Sequence, residues 1–153
     1  MRLSSIRKLV AAAALALTAC PLFAAPADDV RTRIAEFREL GASFKTVNDA
    51  LRYPEPQTVL IQMASRQIFN SSKALPGWFP KGSGPESGGK TKAKPEIWIQ
   101  AAKFKSAQNA FAAQALQFQR TAQMGSLPAI KAQARKLGQT CKGCHDTFRQ
   151  PGD

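Results

Sequence analysis

Four stretches of this chain repeat apolar residues at alternating steps of four and three, the spacing of helices that each bury one face. The first row runs Val30, Ile34, Phe37, Gly41, Phe44, Asn48 and Leu51. A second helix, about Gln57 to Lys73, has a less clean period and is expected to bury Leu60, Met63, Ala64 and Ile68. Ile97, Ala101, Phe104, Gln108, Phe111, Ala115, Phe118 and Ala122 make a third row of seven turns. The fourth, Leu127, Ile130, Ala134, Leu137, Cys141, Cys144 and Phe148, is uninterrupted almost to the chain end.

The punctuation between these rows fits four helices. Asp28 or Asp29 can cap the first, and Tyr53-Pro54-Glu55-Pro56 breaks it. Pro95-Glu96 suits the first turn of the third, Gly125 ends it, and Ser126 with Pro128 opens the fourth. Between Pro76 and Pro95 lie five of the ten glycines and four of the ten prolines, so this is the one long irregular link. Leu75, Trp78 and Phe79 at its start are expected to pack back onto the bundle. Two short links and one long one predict an all-α, up-down-up-down four-helix bundle.

The fourth row carries the chemistry. Cys141-Lys142-Gly143-Cys144-His145 has two thiols three apart and a histidine directly after, the pattern that attaches a c-type haem by adding both sulfurs across the porphyrin vinyl groups. On a helix these positions share one face, so they can meet one flat cofactor. Because Cys141 and Cys144 continue the core-facing row, the porphyrin is expected inside the bundle. A zinc site needs about four protein ligands, yet His145 is the only histidine and Cys20 the only other cysteine. A thioredoxin-like dithiol would need a preceding strand, and no strand pattern precedes this motif.

His145 is the one candidate proximal ligand. Opposite it, a methionine would close the coordination shell and make a low-spin electron carrier. Met63 reads as core packing, Met124 stands at the foot of the third helix, and a lysine would first have to lose its proton. The expected sixth site is therefore empty and faces apolar side chains of the first helix. A peroxidase-type enzyme would need a distal acid or base. Glu36 and Glu39 flank the distal row but are expected to point outward, so no catalytic residue is assigned.

With 153 residues the chain has the length of one domain. Arg2, Arg7 and Lys8 precede an apolar run, Leu9 to Ala19, too short to span a bilayer, and Leu22-Phe23-Ala24 resembles a cleavage edge. Residues 1–24 read as a cleaved export signal and 25–153 as the mature domain. Leu17-Thr18-Ala19-Cys20 also resembles a lipobox, so membrane attachment is expected only if Cys20 is acylated. The net charge of +12 becomes +9 once the three leader cations go, all ten acids lying downstream. Such a balance suits anionic partners, but an exported address and dispersed lysines argue against nucleic acid.

Three segments carry a family resemblance: Cys141-Lys142-Gly143-Cys144-His145-Asp146-Thr147-Phe148-Arg149, Pro95-Glu96-Ile97-Trp98, and Val30-x-x-Arg33-x-x-x-Phe37. In these the chain resembles the class II c-type cytochromes, specifically the cytochrome c′ family. The resemblance implies one covalent haem c, a periplasmic address, five-coordinate high-spin iron, electron transfer with an unidentified redox partner, binding of NO and CO, and a homodimer through the first two helices. It further implies that Arg33 lies near a haem propionate, that Phe37 fills the distal position, and that Arg149 stands beside the proximal histidine, where NO binds after displacing it. Gly41 and Ser43 imply a less bulky first helix near the haem.

Overall fold

The computed structural model describes residues 26–124 and 126–152. The export and lipobox expectations, and the helix stop at Gly125, fall outside the described residues. The helices are α1 (Pro26–Ala50), α2 (Thr58–Ala74), α3 (Glu96–Ile99), α4 (Ala101–Met124) and α5 (Leu127–Phe148). Among the described residues no strand forms, and a single antiparallel bridge joins Ala93 to Arg149.

Asp28 and Asp29 sit in the first turn of α1, where carboxylates offset the positive helix end. α1 packs on α2, α2 on α4, and α4 on α5, the order of an antiparallel bundle. No such close packing joins α1 to α5. Phe118, Ile61, Ile68, Ile130, Leu137 and Val47 are wholly enclosed at its centre, and Val30 is buried beneath the long link at Gly89. On α4 the buried row is Phe104, Gln108, Phe111, Ala115, Phe118 and Ala122, as its spacing predicts, whereas Ala101 at the head of the helix is exposed.

Two rows differ from the sequence reading. On α1 the inward positions are Val30, Arg33, Phe37, Leu40, Phe44, Val47 and Leu51, so Arg33, Leu40 and Val47 replace Ile34, Gly41 and Asn48. Gly41 is exposed with open space around it and does not shape the interior. On α2 Leu60 and Met63 are 41% and 62% exposed, and Ile61, Ser65, Ile68 and Ser72 point inward instead. The two serines tolerate burial because their hydroxyls donate to Gln62 O at 2.8 Å and Phe69 O at 2.7 Å.

The third predicted helix is also interrupted. Gln100 leaves helical geometry at φ −106°, ψ 47°, which separates the single turn of α3 from α4. The break lets Ile97 enter a small apolar cluster with Phe104 and Phe148, Trp98 packing against it. The long link carries two 3-10 turns, Leu75–Trp78 and Pro85–Ser87, with Leu75 and Trp78 buried as expected. No described helix is long and apolar enough to cross a membrane.

Candidate haem site

The candidate residues Cys141, Cys144 and His145 stand on α5, which packs closely on α4 and not on α1. Cys141 and Cys144 are one turn apart on α5, half-buried and unpaired. Cys141 packs against the main core, while Cys144 packs against the Ile97–Phe104–Phe148 cluster. Burial raises both thiol pKa values, that of Cys144 to about 11 with a further push from Cys141. α1 presents Phe37, Leu40 and Phe44, all half-buried.

His145 is exposed beside a cleft of about 370 Å³ that it lines with Lys94, Asp146, Arg149 and Gln150. Partial burial, and then the Arg149 charge, hold its imidazole below the ordinary histidine value, which favours the neutral ring that can offer a lone pair. Arg149 ends α5 in extended geometry, its N–H donating to His145 O at 3.0 Å. Lys142 pairs with Asp146 on the outer side of the same turns.

Arg33 is 2% exposed rather than a solvated charge. Its guanidinium donates to Trp78 O at 3.3 Å, Ser83 Oγ at 2.9 Å, Ser83 O at 2.9 Å and Thr91 Oγ1 at 3.0 Å. It also stacks on Phe79, 4.8 Å from the ring centroid. Desolvation lowers its pKa, opposed by the charge of Asp29. All four acceptors are neutral, so a buried cation here remains complementary to an anion.

An aromatic series lines this end of the bundle. Phe37 meets Phe79 at 6.0 Å, Phe79 meets Phe104 at 4.8 Å, and Phe104 meets Phe148 at 5.0 Å, each edge to face. Trp78 packs on Phe37 from the long link. The sequence motifs pointed to Phe37 but not to Phe79, Phe104, Ser83 or Thr91 as parts of the wall. Only the aromatics gave a signal, and it was a packing signal.

These residues fit a covalently held porphyrin. Two inward thiols one turn apart, one imidazole at the next position and an apolar wall opposite match its shape and attachment chemistry. Among the described residues no three His, Cys, Asp or Glu gather to bind a metal directly. A family model described as Cytochrome C' matches residues 28–149, nearly all of the described chain.

The chain belongs to the cytochrome c′ family. The cytochrome c′ of Alcaligenes xylosoxydans xylosoxydans is 31% identical over 128 residues, covering 84% of this chain and 98% of that protein. That of Rubrivivax gelatinosus is 30% identical over the same length and coverage. The crystal structure of cytochrome c′ from Rubrivivax gelatinosus superposes with a TM-score of 0.77, covering 84% of this chain and 99% of that one at 29% identity. A ferrous variant of the Alcaligenes xylosoxidans protein with bound NO gives 0.75 at 26% identity, covering 85% of this chain. Cytochrome c′ proteins carry one covalently attached haem c.

Proposed function

We propose that this cytochrome c′ is an exported, periplasmic monohaem protein of residues 25–153, with five-coordinate high-spin iron that transfers electrons and binds NO and CO. Cys141 and Cys144 tether the haem through thioethers, and His145 supplies its one protein ligand. The haem supplies a redox-active iron able to take a small neutral gas. Phe37 carries the reading: it fills the position on α1 opposite α5 with hydrocarbon, backed by Trp78 at 4.9 Å. A gas that needs no hydrogen bond can enter such a wall, while water and anions gain little there.

The methionine-ligated alternative has little support. Met63 is 62% exposed on the outer face of α2, and Met124 is 73% exposed at the end of α4. Binding and electron transfer, rather than turnover, suit the apolar distal wall, since Glu39 is exposed and Glu36 lies outside the inward row. Arg33, a buried cation with neutral acceptors, suits an anionic propionate. Arg149, next to the His145 cleft, suits NO held on the proximal side.

A homodimer through α1 and α2 fits the exposed Val59, Leu60 and Met63, which give α2 an apolar outer face. A solved cytochrome c′ that shares the fold is described as having a ligand-controlled dimer dissociation. The test of the main reading is the absorption spectrum of the reduced protein with and without CO. A spectrum altered by CO supports open iron; one unaltered by CO overturns it.

A further inference from the structure

The segment 90–94 reads Lys90-Thr91-Lys92-Ala93-Lys94, a strict alternation of cation and small residue. The structure shows what the alternation serves. Thr91 turns inward and accepts from Arg33 at 3.0 Å, and Ala93 packs into the Ile97–Phe104–Phe148 cluster. The lysines that alternate with these two inward residues lie toward solvent along the edge of the segment. Lys90 and Lys92 are exposed, and Lys94 is half-buried with its ammonium donating to Asp146 O at 3.4 Å.

This edge is fixed beside the haem site. Gln150 N donates to Lys92 O at 2.8 Å and Lys94 N to Phe148 O at 3.0 Å, around the bridge of Ala93 with Arg149. The ladder sets the lysines along the residues that follow His145, and Arg149 adds a fourth cation. Among the described residues no carboxylate pairs with any of the four. Asp146 is taken by Lys142, and Glu86 in the same link accepts from Gly84 N. Like charges with no carboxylate partner among the described residues repel one another, and an anionic surface laid against them would relieve that cost.

We propose that Lys90, Lys92 and Lys94 form a docking strip for an acidic face of a one-electron carrier protein. The inference rests on the electron-transfer part of the proposed function. A protein partner is favoured over an anionic membrane because interfacial binding also needs apolar anchors. Tyr53, Val59, Leu60, Met63 and Met124 are exposed at or toward the opposite end of the bundle, and among the described residues only Ile99 is a large exposed apolar group at this one. In the docked pair one electron passes between haem and partner, the giver oxidised and the taker reduced. No bond or proton moves at the lysines.

The test uses the reduced holoprotein at an ionic strength of about 0.01 M, where charges act over about 30 Å. Ferricyanide takes one electron from the haem and becomes ferrocyanide, poly-L-glutamate serves as the acidic probe, and tris(phenanthroline)cobalt(III) is the cationic oxidant. Lys90→Glu/Lys92→Glu is compared with Lys131→Glu/Lys136→Glu, which changes net charge equally on the far half of α5. The first pair is expected to slow ferricyanide by about tenfold, to speed the cobalt reagent, and to abolish inhibition by poly-L-glutamate. The second is expected to keep that inhibition.

Equal effects of the two pairs would overturn the strip and leave a solvated strand edge. Protection by phosphatidylglycerol vesicles but not by poly-L-glutamate would overturn it in favour of lipid. If neither oxidant reacts with the unmodified protein, electron transfer itself falls, a failure distinct from that of the strip.

Discussion

The ring of Phe37 on α1 meets that of Trp78 edge to face, with centroids 4.9 Å apart and planes at 79°. This contact joins the helix that walls the haem site to the long link that closes its end. It holds the Phe37 ring against the long link, and that ring has no lone pair to offer a metal.

Substitution of that ring separates packing from ligation. Phe37→Ala is expected to cost about 2 kcal/mol, less than for a fully buried phenylalanine because the side chain is only half-buried. It should also speed CO binding by removing the obstruction. Phe37→Met places a sulfur on the same helix face and is expected to shift the absorption spectrum toward low-spin iron. Thermal unfolding and CO stopped-flow read the first, absorption the second.

Loss of Arg33 should loosen the link rather than the bundle. Arg33→Leu leaves the acceptors on Trp78, Ser83 and Thr91 without their donor and is expected to cost roughly 2–3 kcal/mol. Limited trypsin digestion should then cut faster at Lys81 and Lys90, both exposed in this link. Arg33→Lys keeps the charge but not the fork of donors and should recover only part of the stability.

Met63 gives a control with the opposite expectation. Its side chain is 62% exposed on α2, so Met63→Leu should leave the spectrum of both oxidation states unchanged. Met63→Glu, in contrast, should weaken any self-association through α2, which sedimentation of the holoprotein measures.

The attachment chemistry is tested by extraction. Acidified acetone should leave haem on the unmodified chain and remove it from Cys141→Ser/Cys144→Ser. A single Cys144→Ser change should keep the cofactor through one thioether at Cys141, visible in the mass of the intact protein.

The α4 and α5 rows were legible because each residue in them acts through a local rule: large apolar groups alternate with polar ones, and the thiols continue the row. α2 was misread because Ser65 and Ser72 enter the core with hydroxyls satisfied three residues back, leaving Leu60 and Met63 outside. Composition alone cannot report that inversion. α1 was misread by one position, Ile34 for Arg33, Gly41 for Leu40 and Asn48 for Val47, because a row of mixed residues supports two phases. That Cys141 and Cys144 stand half-buried one turn apart on α5, with His145 next to them, follows the spacing of the motif. The burial of Arg33 was not legible, since its acceptors lie 45 to 58 residues away in a link with no periodic pattern.

The central claim is that the iron keeps one side free behind the hydrocarbon of Phe37. Resonance Raman spectra of the purified holoprotein, ferric and ferrous, with no added ligand, test it most directly. Five-coordinate high-spin marker bands in both states are the predicted result. Six-coordinate low-spin bands in either state would contradict it.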